Sequence, residues 1–436
     1  MATDTTLSAR ALWHYGLLAL PIAFIGMPLH IYLPDFYATQ HGVSLAAMGA
    51  VLLAIRAVDA IQDPLIGYLS DRRYIQLPNI MIASMAVLAI SFVLLFLPPA
   101  IAPLAWFSIF LLLATTSFSV LNINFQALGA IWSDDKHDKT RIAARREAIG
   151  LIGLLLAAIL PALLQQNLSD KAAFHWVSAI FCVLLIISGI WFLRWMRTYA
   201  PKTRPHGTQS LTGLWRNILS HRRFYLIYGL SSVASAIPAV LIIFYIRDYL
   251  KAENYLGLFL TLYFLSGALG LPLWQRAAKR WGKHATWRVA MLLATTSVIW
   301  VSFLTGGDVV AYGIICVASG LALGAELALP PAILADKMEQ GEGRSHASGS
   351  FSVLTLLAKA ALALASAIAL PLLGIANFTP AAQNSTDALW VLVLLYGMLP
   401  CAFKLAAVCL LLLTMIKEQS DEILPWTTTD RSVDHA

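Results

Sequence analysis

Charge is scarce in this chain. Only 12% of its 436 residues are Asp, Glu, Lys or Arg, about half the share found in soluble globular domains. So little charge excludes a water-exposed surface over most of the molecule. Cysteine is scarce as well: Cys182, Cys316, Cys401 and Cys409 all lie inside apolar runs. None has metal-ligand spacing or a position suited to an extracellular disulfide, so they read as small packing residues. HExxH, GxSxG and a Walker glycine loop are absent, and no His/Cys cluster has ligand spacing, so an intramembrane enzyme is not expected. A cleavable signal peptide is not expected either, because residues 1–10 are polar and the first apolar stretch runs straight into a span.

Long apolar runs dominate what is present. The chain is 59% hydrophobic with a mean hydropathy of +0.73, and its runs reach the roughly 20 residues that cross a bilayer as helix. Twelve are expected, at about 11–36, 44–70, 78–98, 102–128, 147–166, 173–195, 223–249, 255–276, 286–305, 309–335, 347–374 and 387–415. This predicts an all-α polytopic membrane protein. The net charge of +7 is not a nucleic-acid footprint, because Lys and Arg concentrate in alternate loops. Arg72 and Arg73, then Lys136 to Arg146, then Arg194 to Arg223, Arg276 to Arg288, and Lys337 with Arg344 mark one side of the membrane. The positive-inside rule places that side, and both termini, in the cytoplasm. The longest internal polar stretch follows six spans. It divides the chain into an N-terminal half (1–198), a cytoplasmic linker (199–222) and a C-terminal half with a tail (223–436). Six, linker, six is the parallel-repeat plan of major facilitator transporters. Pro64 followed by Arg72 and Arg73, and Pro272 followed by Arg276 to Arg280, echo one another about half a chain apart.

One segment stands out within this apolar background, Asp59-Ala60-Ile61-Gln62-Asp63-Pro64. On a helix, residues four apart share a face, so both carboxylates meet one turn apart. Each costs roughly 3 kcal/mol to place at mid-membrane on insertion scales, so a compensating charge is required. Arg56, one turn earlier, offers a structural answer; a bound cation or proton offers a functional one. The second half has Leu271 where the first has Asp63, which assigns the coupling chemistry to the first half. Lys359 is an intramembrane lysine, a functional candidate by default, able to pair with Asp59 or Asp63 across the halves or to serve as a purely structural ion pair. Glu326 either faces a solute cavity or makes an interhelical hydrogen bond. His30 either touches solute or donates to a carbonyl freed by Pro34. Pro21, Pro28 and Pro34 predict a bent or broken first helix.

The D-A-x-x-D-P-x-x-G pattern from Asp59 to Gly67 resembles the glycoside-pentoside-hexuronide:cation symporters, the major facilitator branch that includes the melibiose carriers. Tyr37 with Gly42-Val43-Ser44, Arg146 before span five, Ala335-Asp336 with Glu339 and Gly341 to Arg344, and Lys359 match that family in register. The resemblance implies a twelve-helix major facilitator fold and cation-coupled symport of a sugar or glycoside. It makes Asp59 and Asp63 the ligands of the coupling ion, as a metal site if that ion is Na⁺. It completes the site from span four, where Ser119 and Asn122 supply neutral oxygens, unless these serve as helix–helix glue. Arg56, Arg146, Glu326, Lys359 and His30 make up the expected coupling and solute pathway. Two departures matter. Asn122 replaces a family aspartate, which weakens the attraction for a metal cation and favours H⁺ over Na⁺. Ala23 stands where the family carries its sugar-holding acid, so the substrate transfers less well than the mechanism, and an amphiphile such as a lysophospholipid is the alternative cargo. The remaining expectations are a bacterial inner-membrane location, a monomer, a small-molecule substrate and no cofactor beyond the coupling ion.

Overall fold

The computed structural model describes residues 7–43, 45–72, 76–165, 168–201, 211–338, 346–380 and 382–423. Among these, the regular structure is helical throughout. The first helix is broken, as its prolines predict: α1 (Ala9–Gly16) and α2 (Ala19–Phe24) lead through a π segment (Pro28–Tyr32) into α3 (Leu33–His41). Pro28 cannot donate a backbone hydrogen bond, so the regular ladder cannot pass through it. Gly42 ends α3 in the left-handed conformation, at φ 63°, which glycine adopts without a Cβ penalty.

Five longer helices follow: α4 (Leu45–Arg72), α5 (Leu77–Leu95), α6 (Pro103–Ile131), α7 (Lys136–Gln165) and α8 (Asp170–Thr198). The stretch read as a linker contains a short helix of its own, α9 (Leu211–Ser220). The second set comprises α10 (Arg222–Phe244), α11 (Leu256–Trp281), α12 (Lys283–Val298), α13 (Val309–Lys337), α14 (Ala347–Ile375), α15 (Thr386–Val393) and α16 (Leu399–Ile423). A π segment, Tyr245–Tyr249, extends α10, and another, Leu394–Met398, joins α15 to α16. The opening helices of both sets therefore pass through a π segment, at Pro28–Tyr32 and at Tyr245–Tyr249, an echo that the apolar sequences hide.

Among the described residues, ten helices are long and apolar enough to cross a membrane, the first being Leu77–Leu95. The sequence reading of twelve exceeds this by the two spans in the first 72 residues. The pieces of the broken helix are too short, α3 being nine residues. The 28-residue α4, roughly 42 Å long at 1.5 Å per residue, carries Arg56, Asp59, Asp63, Asp71 and Arg72.

Within the first set α4 packs on α6, α5 on α6 and α8, and α2 on α7; within the second α13 packs on α11 and α12, and α10 on α14 and α16. The sets meet along two seams, α14 with α4 and α6, and α7 with α11 and α13. Hydrogen bonds tie the first seam at its basic-loop end. Asp71, buried at the end of α4, accepts from the backbone N–H groups of Ser348 (2.9 Å) and Gly349 (2.8 Å), the first turn of α14. Those are donors that a helix start leaves open, and a carboxylate there also meets the positive end of the helix dipole. Gly67 makes this approach feasible: a Cβ on it would stand 2.7 Å from the Ser348 carbonyl oxygen. On the second seam Lys139 of α7 donates to the Ala335 carbonyl (3.2 Å) near the end of α13 and lies 3.9 Å from Asp336. Lys283 holds the same aspartate at 2.7 Å. Both seams are thus fastened on the face that carries the basic loops. The expected loop residues Glu339 and Gly341 to Arg344 lie outside the described residues.

Candidate cation and solute site

The α4 helix places Asp59 and Asp63 on its inner face, where they are 3% and 0% exposed. The charge beside them comes from the opposite set of helices. Lys359, on α14, reaches across the seam and sets its ammonium 3.1 Å from Asp59 Oδ2 and 2.8 Å from Asp63 Oδ2. It also donates to Ser119 Oγ of α6 at 2.9 Å. Three oxygens from two helices therefore surround one cationic centre. Asp63 Oδ1 has no hydrogen-bond partner among the described residues. Asp59 Oδ1 accepts from Gln62 Nε2 (2.6 Å), and Thr116 donates to Gln62 Oε1 (3.1 Å), which fixes that side chain in turn. Among the described residues, two carboxylates face one ammonium in this cluster, an excess of acid over base. In a low-dielectric interior, such an imbalance favours a further cation or proton.

Asn122 is not part of this cluster. Its amide oxygen accepts from Gln126 Nε2 (3.2 Å), one turn along α6, and it lines a cavity of about 420 Å³ between the two sets of helices. Two positions on, Asn124 turns toward the seam instead, where it bonds Ser70 Oγ (2.9 Å) and accepts from Ser348 Oγ (3.2 Å). It belongs to the fastening around Asp71.

The cavity is bordered by Asp59 and Lys359 at one edge, by Arg146 and Glu147 at another, and by Glu326 of α13 on the far wall. Arg146, 6% exposed, donates through Nε (2.9 Å) and Nη2 (2.6 Å) to Glu147 Oε1. Glu326 Oε2 receives Lys404 of α16 at 2.6 Å and the Ser235 hydroxyl of α10 at 3.0 Å. Lys404 also donates to Ser231 Oγ at 3.1 Å. Phe118, Leu327, Leu354 and Leu362 give the cavity an apolar wall. Of the residues expected on the pathway, Lys359, Arg146 and Glu326 thus face one space. The side chains of Arg56 and His30 lie outside those described. Glu147, Gln62, Thr116, Asn124 and Lys404 are given no role by the sequence alone; Lys404 carries the strongest signal of the five, an intramembrane cation, but its place near a span boundary leaves it unassigned.

The sequence profile of the MFS/sugar transport protein family matches residues 14–418, nearly the whole chain. The chain belongs to that family. It is a membrane transporter, not an enzyme, of the sugar:cation symporter branch of the major facilitator superfamily. Curated relatives match over most of the chain. A putative sulfoquinovose importer of Salmonella typhimurium is 24% identical over 86% of this chain and 83% of its own. The sodium-dependent lysophosphatidylcholine symporter 1 of Gallus gallus is 24% identical over 77% of this chain and 72% of its own. Among solved structures, the E. coli fucose:proton symporter superposes with a TM-score of 0.64 over 92% of this chain and 98% of that one, at 14% identity. That likeness shows the major facilitator fold.

Proposed function

We propose that this protein imports a small organic solute, a sugar or glycoside, by alternating access driven by a cation bound at Asp59 and Asp63. The observation that carries the proposal is the Lys359 ammonium seated on both carboxylates across the seam between the halves. It occupies the place a coupling ion would take, as a tethered substitute. When Na⁺ or H⁺ neutralises the acids, the attraction holding α14 to α4 weakens and Lys359 is released. An ion that binds the two states unequally shifts their populations by that difference and no more. Ser119, which accepts from Lys359, becomes a neutral ligand for the ion. Arg146, Glu326 and Asn122 face the solute in the cavity, and Arg56 and His30 complete the pathway.

The reading includes twelve crossings, with the broken first helix and α4 as the two beyond the ten apolar ones. The halves comprise residues 1–198 and 223–436, joined by 199–222. The basic loops and both termini lie in the cytoplasm of a bacterial inner membrane, and the protein works as a monomer. A proton is favoured over Na⁺, since Asn122, on the cavity beside the acid pair, stands where the family pattern carries a further aspartate. An amphiphile is the second reading for the cargo. The apolar wall of Phe118, Leu327, Leu354 and Leu362 favours it, as does the relative named for lysophosphatidylcholine.

The test is uptake by proteoliposomes offered a panel of radiolabelled glycosides and lysophosphatidylcholine under imposed ion gradients. Accumulation of a glycoside above its external concentration, abolished by Asp63→Asn, is the expected result. Accumulation that persists in Asp63→Asn would remove the cation site, and uptake confined to the lysolipid would replace the sugar.

A further inference from the structure

The solute cavity carries its charges in pairs. Among the described residues that line it, the cations are Arg146 and Lys359 and the carboxylates are Asp59, Glu147 and Glu326. Both cations are already held. Arg146 gives its Nε and Nη2 donors to Glu147 Oε1, at 2.9 and 2.6 Å. Lys359 spans Asp59 and Asp63 at 3.1 and 2.8 Å. Glu326 in turn is held at 2.6 Å by Lys404, a residue outside the lining set. The Lys404 ammonium has three more contacts, to the Ser231 carbonyl (3.2 Å) and to the hydroxyls of Ser231 (3.1 Å) and Ser235 (2.8 Å). An ammonium has fewer protons than this set has acceptors, so Lys404 has none left for a solute.

Every described cation at this cavity is therefore taken. An incoming carboxylate or sulfonate would have to displace a resident carboxylate. That exchange leaves a buried charge without its partner and sets two like charges side by side. An uncharged solute meets no such conflict. Thr115, Asn122, Gln126, Tyr228 and Thr355 line the cavity with hydroxyls and amides, groups that both donate to and accept from sugar hydroxyls. Phe118, Leu327, Leu354 and Leu362 leave apolar surface for an aglycone. The volume of about 420 Å³ lies within the range of small-molecule sites.

We propose that the cargo is an uncharged glycoside, and that Glu147 and Glu326 enforce this choice by keeping Arg146 and Lys404 occupied. The inference rests on the sugar reading above and narrows it. It separates this chain from carriers of carboxylated or sulfonated sugars, whose acid group needs a cation free to receive it. Glu147 and Glu326 act here through the cations they hold, as positioning residues that set the charge of the solute admitted.

The test uses the full-length protein in detergent at neutral pH. The probes are nitrophenyl β-glucoside and β-galactoside, each beside its uronide, which carries a carboxylate in place of the hydroxymethyl group. Equilibrium binding is measured in Na⁺ and in choline buffers. The uncharged member of each pair is expected to bind at least about 100-fold more tightly than its uronide, because the uronide sets like charges together. Glu147→Gln releases Arg146 to meet an anion, and the uronide-to-glucoside affinity ratio is expected to rise by about tenfold or more. A merely structural defect would weaken both probes together and leave that ratio unchanged. Should Glu147→Gln fail to fold, the wild-type ratio decides by itself. A uronide bound as tightly as its uncharged partner, or an unchanged ratio in folded Glu147→Gln, overturns this proposal and leaves the sugar reading standing. Binding of neither class removes the sugar reading, and this proposal with it.

Discussion

Lys359→Met isolates the role of the lysine at the seam. Methionine keeps most of the apolar stem and removes the ammonium, leaving Asp59 and Asp63 uncompensated at 3% and 0% exposure. Removing one partner of a buried ion pair costs about 3–5 kcal/mol, most of it the penalty of the stranded charge. Here two carboxylates share the lysine at 3.1 and 2.8 Å, so the upper part of that range is expected. Adding Asp63→Asn removes the more buried acid, while Gln62 still bonds Asp59 at 2.6 Å. The double variant is therefore expected to recover stability, with a coupling energy of about 1–3 kcal/mol between the two sites. Thermal unfolding of purified protein at constant pH, in choline and in Na⁺ buffers, measures each corner of the cycle. Lys359→Met is expected to unfold at a lower temperature than wild type in choline, and to regain stability when Na⁺ or a lower pH supplies the missing positive charge. The reasoning fails if Lys359→Met unfolds with wild type, or if Asp63→Asn makes it worse.

Other outcomes follow from the same contacts. Glu326→Gln strands the Lys404 ammonium, 6% exposed as a side chain, and is expected to lower stability by about 3–5 kcal/mol; Glu326→Gln/Lys404→Met is expected to restore much of it, as thermal unfolding would show. Asp71→Asn removes the charged cap on α14, a contact of about 0.5–2 kcal/mol, so a cysteine placed beside the basic-loop end of the seam should react faster with a membrane-impermeant maleimide. Gly67→Val forces a side chain against the Ser348 carbonyl and is expected to cost about 1–3 kcal/mol or to open the same seam, read by the same labelling. Asn122→Asp adds a carboxylate to the cavity without joining the Lys359 cluster directly, and equilibrium binding is expected to show tighter Na⁺ association through the added field alone.

Much of this molecule could be read from its residues, though unevenly. The Asp59/Asp63 spacing needed only helix geometry, and three prolines were enough to expect a broken first helix. Lys359 identified itself by the cost of a lysine in an apolar span. Glu147 was harder to notice, because it follows the basic run of Lys136 to Arg146 and so looks like part of a loop. Gln62, Thr116 and Asn124 are neutral residues whose roles depend on which helix lies opposite. Periodicity gives the face of a helix and says nothing about its neighbour. Ser119 and Asn122 illustrate this: three positions apart, they share a face, yet the first meets Lys359 and the second is one turn along, with Gln126 in the cavity. The count of twelve spans met a similar limit, since a helix broken by prolines and one carrying the coupling charges are where hydropathy is least informative.

The central claim is that the acid pair under Lys359 couples an ion gradient to solute movement. Solute accumulation in proteoliposomes, comparing wild type with Asp63→Asn under a pH gradient in Na⁺-free buffer and under a Na⁺ gradient at constant pH, tests it most directly. The account predicts that wild type concentrates solute under one of these gradients, the proton gradient being favoured, while Asp63→Asn only equilibrates it. Accumulation by Asp63→Asn at the wild-type level would contradict the account.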